Sequence, residues 1–151
     1  MNPSSDSPVI ALRSPAHSAD LLSTRTIFTE YARSLPIDLG FQNFTQELDA
    51  LPGEYSEPRG ALLLAWVDGA VAGCCALRPF DACDYANAAE MKRLYVRPAF
   101  RGLGLGRLLT EGILDAARAA AYHCVLLDTL DDMESARALY EDLGFVAIPP
   151  Y

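Results

Sequence analysis

A glycine-rich turn between a predicted strand and a predicted helix constrains the fold of this chain more than any other feature of its sequence. The six residues of this turn are Arg101, Gly102, Leu103, Gly104, Leu105 and Gly106. The strand before it ends ahead of Pro98, and apolar residues recur after it at helical spacing as far as Ala120. Glycines allow a sharp turn and close approach to a ligand, while a helix start offers unpaired N–H groups. The segment therefore predicts an anion-binding turn, with a simple helix cap as the alternative.

The spacing of these glycines differs from that of two common phosphate-binding loops. A Walker loop needs a second glycine, followed by lysine, five residues after its first, and Arg107 stands at that distance from Gly102. A dinucleotide fingerprint begun at Gly102 reaches Arg107 where it needs glycine, and one begun at Gly104 reaches Leu109. Both patterns are excluded on spacing.

The charge around the turn is opposite in sign to that of the whole chain. Residues 91–110 contain no Asp or Glu, although the formal net charge of the protein is -8. The cations in this segment are Lys92, Arg93, Arg97, Arg101 and Arg107. This pattern predicts a local cationic island suited to a phosphate, while the acidic total disfavours a nucleic-acid partner.

Periodicity along the rest of the chain predicts a strand, two helices, three strands, a helix, a strand, a helix and a last strand. The predicted strands are residues 9–13, 61–67, 70–77, 90–96, 124–127 and 145–148. Helices are predicted from Ser18 or Asp20 to Ser34, over residues 42–50, after the glycine turn, and from Asp131 or Asp132 to a stop at Gly144. We expect a surface loop at residues 53–60, a disordered lead-in at residues 1–8 and one domain at residues 9–151.

Cysteine spacing and hydropathy restrict the class of protein further. The cysteines are Cys74, Cys75, Cys83 and Cys124, with no CxxC pair and no histidine at ligand spacing. We expect reduced, mostly buried thiols and no metal site. No apolar run approaches the roughly 20 residues of a membrane span, and the first residues are polar, which predicts a cytoplasmic protein without a membrane partner.

Two ordered motifs resemble those of the GNAT superfamily of N-acetyltransferases. Arg101, Gly104 and Gly106 match the signature Arg/Gln-x-x-Gly-x-Gly/Ala, and residues 138–145, ALYEDLGF, form the second familiar stretch. The resemblance implies an α/β (α+β) fold with a mixed, mostly antiparallel sheet and helices on both faces. It also implies a V-shaped split between two parallel central strands, residues 94–96 and 125–128, in which acetyl-CoA lies.

The resemblance also implies roles for particular residues. The pantetheine arm of coenzyme A pairs with the central strand and the pyrophosphate lies on the turn. The implied cofactor-binding residues are Leu94, Tyr95, Val96, Arg101, Gly102, Leu103, Gly104, Leu105, Gly106 and Arg107. Tyr140 is implied as the acid that protonates the departing thiolate, whereas periodicity alone favours a core aromatic residue at that position.

The acceptor side is less constrained by the sequence. Glu90 and Asp128, each predicted at a strand end, are both candidates for the base that deprotonates the amine. Phe41, Phe44 and Tyr55 are candidate lining residues for a small-molecule amine or a protein or peptide amine.

Two departures from the family pattern favour other interpretations. Met133 stands where many members have an asparagine, and the sequence stops at Tyr151 before the usual final strand. The alternative is a non-catalytic acyl-CoA-binding module, and a homodimer that completes the sheet is a second expectation.

Overall fold

Five strands form one sheet at the centre of the molecule. The computed structural model describes residues 7–35, 41–81, 83–128 and 134–149, with the side chains of residues 41–42 and 134–136 left out of the description. The strands are β1 (Ile10–Arg13), β2 (Ala61–Val67), β3 (Ala70–Pro79), β4 (Ala88–Val96) and β5 (Cys124–Leu126), in spatial order β1-β2-β3-β4-β5. The first four strands pair antiparallel, whereas β4 and β5 pair parallel. The mixed, mostly antiparallel sheet is confirmed.

Helices cover both faces of the sheet, as predicted. They are α1 (Ser18–Ser34), α2 (Phe41–Ala50), α3 (Leu105–Ala119) and α4 (Glu134–Asp142). Short 3-10 turns occupy Gly53–Tyr55 and Pro98–Phe100. Ile27 and Phe28 of α1 are fully buried in a core cluster on one face, and Leu109 and Ile113 of α3 are fully buried in a cluster on the other. The two-residue period of a strand therefore divides the core into two layers.

Adjacent cysteines on β3 illustrate this division. Cys74 belongs to the cluster under α1, and Cys75 belongs to the cluster under α3. Both thiols are fully buried, and burial raises the pKa of each above its ordinary value. Cys83 and Cys124 are only partly buried, so the prediction of mostly buried thiols holds for Cys74 and Cys75 and only in part for the other two.

Strand β4 contains a bulge that the sequence analysis did not predict. Cys74 pairs with Tyr95 and Ala76 pairs with Lys92, so two residues of β4, Arg93 and Leu94, stand opposite Cys75 alone. Arg93 has a φ of 64°, in the left-handed region that other residues than glycine rarely adopt. The bulge shifts the alternation of side chains along the second half of β4.

The predicted strand at residues 145–148 is wrong, since the described residues 143–149 form no strand. Gly144 ends α4 with a φ of 96°, as predicted, and the Phe145 N–H then donates to the Tyr140 carbonyl, 3.0 Å away. That donor is therefore used to cap α4 instead of pairing with a strand. Val146 is left 81% exposed.

The remaining differences from the sequence predictions are local. The expected surface loop at residues 53–60 begins with a 3-10 turn whose Tyr55 is buried at 3% exposure. β4 begins two residues earlier than predicted, at Ala88. The start of the last helix at Asp131 or Asp132, Met133, Tyr151 and most of the predicted disordered lead-in lie outside the described residues.

Candidate active site

Strands β4 and β5 run side by side for only three residue pairs. Ala88 pairs with Cys124, Ala89 with Val125 and Glu90 with Leu126. β4 then continues to Val96, and within the described residues no strand pairs with it on that side. The sheet therefore opens beyond Glu90, at the place where the V-shaped split was expected.

Backbone groups of β4 face this opening. The Arg97 N–H donates to the Ala72 carbonyl of the neighbouring β3, at 2.8 Å. Because successive residues of a regular strand direct their backbone groups to opposite sides, the N–H and C=O of Val96 point away from β3 and into the opening, whereas the bulge interrupts this alternation at Leu94. Those of Tyr95 point toward β3, and its ring contacts Tyr31 of α1 edge to face, with the centroids 6.1 Å apart.

The glycine turn adjoins the opening and begins α3. Gly102 has a φ of 90°, and Gly104, the residue before the first turn of α3, has a φ of 77°. A Cβ built on either glycine meets no atom within 4 Å, so the turn faces open space. The first N–H groups of a helix have no intrahelical acceptor and carry a partial positive charge. The turn therefore has the room and the N–H donors that suit a phosphate group.

Other residues of the turn have structural roles as well. Leu105 is buried in the core under α3, whereas Leu103 is 39% exposed. A Cβ on Gly106 would lie 3.5 Å from the Leu139 side chain of α4, so the helix that carries Tyr140 packs directly against this turn. Two motifs that are far apart in the sequence thus meet at one place.

The cations of the predicted island do not form one patch. Arg93 and Arg97 pair with Glu47 and Glu30 on the α1–α2 side of the sheet. Arg107 pairs with Asp142 of α4 and with Glu111, 3.8 Å away. Arg101 alone of the five has no carboxylate within ion-pair distance among the described residues, and its Nε donates to the Val96 carbonyl at 3.1 Å. The positive charge that the sequence places at the turn is largely neutralised by acids from elsewhere in the chain.

Tyr140 lies in the core cluster under α3, at 9% exposure. Its ring contacts Phe145 edge to face, with centroids 5.7 Å apart. Burial raises the pKa of its hydroxyl, and smaller electrostatic contributions come from Cys75 and from Tyr31.

The two candidate bases have different surroundings. Glu90 is 7% exposed, and its Oε1 accepts hydrogen bonds from Arg78 Nε at 2.9 Å and Arg78 Nη2 at 2.7 Å. Asp128 follows the end of β5 and is exposed. The structure places Glu90 at the point where the sheet opens, buried and fixed in orientation, and leaves Asp128 at the surface.

A cleft of about 510 Å³ lies on the α1–α2 side of β4. It is lined by Asn43, Phe44, Gln46, Glu47, Ala50, Pro52, Gly53, Glu54, Tyr55, Arg78, Lys92 and Arg93. Phe44 and Tyr55, two of the three candidate lining residues, both line this cleft, while the side chain of Phe41 lies outside the described residues. Sequence reasoning missed the contribution of Arg78, Lys92 and Glu47, because three distant segments bring them together.

No group of three or more His, Cys, Asp or Glu side chains within the described residues is arranged to hold a metal ion. Among the helices in the described ranges, none has both the length and the apolar character that crossing a bilayer requires.

Comparisons with known proteins agree with this geometry. A family model described as "Acetyltransferase (GNAT) family" matches residues 24–145. An uncharacterized N-acetyltransferase of Schizosaccharomyces pombe is 39% identical over 133 residues, which cover 87% of this chain and 80% of that protein.

Solved structures give the same fold. An aminoglycoside N-acetyltransferase in complex with CoA matches with a TM-score of 0.76 at 15% identity, over 100% of this chain and 95% of that one. A putative acetyltransferase from Salmonella typhimurium, solved with its cofactor acetyl-CoA, matches with a TM-score of 0.70 at 22% identity, over 93% of this chain and 81% of that one.

Proposed function

Since the chain belongs to the acetyltransferase (GNAT) family, we propose that it transfers an acetyl group from acetyl-CoA to a primary amine, directly and within a ternary complex. The observation that carries the proposal is the opening of the sheet between β4 and β5. It has the glycine turn at one end and the polar cleft on one face. Such an arrangement gives donor and acceptor separate approaches to one strand, which a direct transfer requires.

In this proposal the donor lies along the open side of β4. The amide groups of its pantetheine arm pair with the backbone of Leu94 and Val96, and its pyrophosphate binds the amides of residues 102–107. The positive φ of Gly102 and Gly104, with open space in front of both, supports this placement. Arg101 is the cation available beside the pyrophosphate, whereas Arg107 braces α3 against α4.

The transfer needs an oxyanion donor and an acid for the leaving thiolate. A backbone N–H of residues 94–96 supplies the hydrogen bond to the tetrahedral oxyanion. Tyr140 supplies the proton: burial raises its pKa, which keeps the hydroxyl protonated at neutral pH and also makes it a weaker acid. The packing of α4 against the glycine turn supports this role, because it brings Tyr140 to the donor side of β4.

The base that takes the proton from the attacking amine is assigned to Glu90, acting through water. Its burial at the opening of the sheet and its fixed orientation beside Arg78 support this choice over the exposed Asp128. The hydrogen bonds from Arg78 to Oε1 favour a relayed proton over direct contact between that oxygen and the amine.

The acceptor approaches through the cleft between α2 and β4. The proposed acceptor is a small-molecule amine, since the cleft is closed on several sides by α2, the turn Gly53–Tyr55 and the two strands. A protein or peptide amine and a homodimer that completes the sheet are retained as alternatives. The proposed location is the cytoplasm, where four unpaired cysteines stay reduced.

A thiol-release assay tests the proposal. The purified protein is incubated with acetyl-CoA and a panel of primary amines, and free CoA thiol is measured against a no-amine control. Amine-dependent release, together with the N-acetylated product by mass spectrometry, is the expected result. Acetyl-CoA binding without release on any amine of the panel would favour the non-catalytic module instead.

A further inference from the structure

Lys92 is the only lysine in the 151-residue sequence, against eleven arginines. It follows Glu90 by two residues on β4 and lines the cleft, with 29% of its side chain exposed. Lysine is a compact point charge whose ammonium group can turn toward a ligand, whereas arginine offers a fixed planar fork. The single lysine therefore lies in the cleft next to β4, where its ammonium group can turn toward a bound ligand.

The other two cations of the cleft are already paired. Arg93 donates to both carboxylate oxygens of Glu47, at 2.9 and 2.7 Å. Arg78 donates to Glu90 at 2.9 and 2.7 Å and to Glu54 at 3.1 Å. In these pairs the guanidinium groups and the carboxylates of the cleft hydrogen-bond to each other.

Lys92 is paired far more loosely. Its Nζ lies 3.9 Å from Glu90 Oε1, beyond hydrogen-bond distance, and that oxygen already accepts two hydrogen bonds from Arg78. Among the described residues, Lys92 Nζ has no hydrogen-bond acceptor. An ammonium group that is partly removed from water and has no close acceptor is costly unless a ligand supplies one.

The charged groups around Lys92 hydrogen-bond mainly to one another. Burial lowers its pKa most, followed by the positive charge of Arg93, while Glu90 acts in the opposite direction. The charged groups that face it are Glu47 from α2, Glu54 from the turn Gly53–Tyr55, Arg78 from β3, and Glu90 and Arg93 from β4. The three carboxylates in this set accept hydrogen bonds from Arg78 and Arg93, so among the described residues of the set the Lys92 ammonium group is the one with hydrogen-bond donors still to offer.

We infer that the acceptor is an amine that also carries a carboxylate, as an amino acid does, and that Lys92 binds this carboxylate. The inference rests on the proposed function and names the substrate class of the same site. The carboxylate lies in the cleft at Lys92, and the amine extends toward the opening beyond Glu90. The net charge of -8 favours a cationic acceptor when the sequence alone is considered, but the pairing inside the cleft points to the opposite charge.

Matched acceptors test this assignment. Leucine is compared with 3-methylbutylamine, and phenylalanine with 2-phenylethylamine, at saturating acetyl-CoA. After each kcat/KM is corrected for the fraction of neutral amine at the assay pH, we expect the value for the amino acids to exceed that for the decarboxylated amines by at least about tenfold, the effect of a charged hydrogen bond of ~1.4 kcal/mol or more.

Substitution of the lysine separates recognition from a structural role. Lys92→Met keeps a long apolar stem, and should raise KM for the amino acids by about tenfold or more while leaving the decarboxylated amines nearly unchanged. Lys92→Arg keeps the positive charge but replaces the compact ammonium group by a planar fork, so it should lose less of the preference for the carboxylate than Lys92→Met does. The matched control is Arg118→Met, which removes an exposed cation paired with Asp115 and should change neither class of acceptor.

A binding measurement keeps the test decisive in the absence of turnover. Protein labelled with [6-¹³C]lysine gives one lysine NMR signal, because the chain has one lysine. In the presence of CoA, leucine should shift this signal and 3-methylbutylamine should not. Three results would overturn the inference: equal kcat/KM for both classes of acceptor, an equal loss for both classes in Lys92→Met, or no NMR shift with either amino acid. Failure of every amine in the turnover assay alone would count against the proposed function.

Discussion

Arg93 at the bulge of β4 donates two hydrogen bonds to Glu47 of α2, at 2.9 and 2.7 Å, and so joins the central strand to the helix that covers the cleft. The Arg93 side chain is 8% exposed and that of Glu47 is 22% exposed. The guanidinium also lies over the ring of Phe44, 5.4 Å from its centroid. The Arg93 side chain therefore connects α2 to the bulge of β4, close to the point where the sheet opens.

Removal of Glu47 should destabilise the protein strongly. Glu47→Ala leaves the Arg93 charge buried without its partner, which costs about 3 kcal/mol or more of unfolding free energy. Urea denaturation followed by circular dichroism measures the loss. The control is Asp49→Ala, which breaks an exposed pair with Arg25 and should cost about 0.5 kcal/mol or less. Equal effects of the two substitutions would mean that the Arg93 pair does not fix α2.

The glycine turn should lose affinity for CoA when an acidic side chain is added to it. Gly104→Asp places a carboxylate in the open space where we expect the pyrophosphate, so affinity should fall by at least about tenfold. Isothermal calorimetry with CoA gives the dissociation constant. Gly69→Asp is the matched control, because Gly69 also has a positive φ, 85°, and open space, but lies in the β2–β3 hairpin. If both variants bind CoA as the wild type does, the pyrophosphate lies elsewhere.

The two candidate bases can be separated by isosteric substitution. Glu90→Gln retains an oxygen that accepts from Arg78 but cannot take a proton, so kcat should fall by about a hundredfold or more. Asp128→Asn, at the exposed position, should reduce kcat by less than about threefold. Steady-state kinetics at saturating acetyl-CoA measure both. The reverse ranking would assign the base to Asp128.

The four cysteines should be dispensable for the reaction. The pKa of Cys74 and that of Cys75 are raised by burial, which keeps both thiols protonated and poorly nucleophilic. A variant with Ala at the two buried positions and Ser at Cys83 and Cys124 should lose stability but keep turnover within a few-fold. Turnover is measured on folded protein, verified by circular dichroism. Folded protein without turnover would indicate a covalent acyl-cysteine step.

Local signals in the sequence were sufficient to predict most of the secondary structure. Asp68 and Gly69 mark the β2–β3 hairpin, where both have positive φ, and Gly144 marks the end of α4. The prediction of a strand at residues 145–148 was wrong because the Phe145 N–H, just after Gly144, donates to a carbonyl of α4 and caps the helix. Apolar alternation reports that a strand is possible there, but not whether a neighbouring strand is available to pair with it.

The site was predictable only in part, for a related reason. The glycine turn is contiguous in sequence, so its conformation could be predicted from the glycine spacing alone. The partners of its neighbouring cations come from α1, α2 and α4, and they reverse the conclusion that a run of arginines forms one positive patch. The bulge at Arg93 likewise depends on the register between β3 and β4, which no local pattern in β4 reports.

Tyr140 provides the sharpest test of the proposed chemistry. Tyr140→Phe keeps the ring, and with it the edge contact to Phe145, but removes the proton that the departing thiolate needs. The melting temperature should change little, CoA affinity should stay within a few-fold, and kcat should fall by roughly a hundredfold or more. The matched control is Tyr122→Phe, which removes a hydroxyl that donates to the Arg59 carbonyl and should leave kcat unchanged.

The pH dependence follows from the direction of the pKa shift of Tyr140. Its pKa is raised by burial above the ordinary value of 10.0, so the hydroxyl stays protonated throughout the neutral and mildly alkaline range. The wild-type rate should therefore show no loss from ionisation of this group below about pH 10.

If Tyr140 is purely structural, Tyr140→Phe should instead reduce stability and keep kcat. Wild-type kcat in Tyr140→Phe on the true acceptor would remove the residue from the mechanism, and the thiolate would then take its proton from water reached through Glu90 or Asp128.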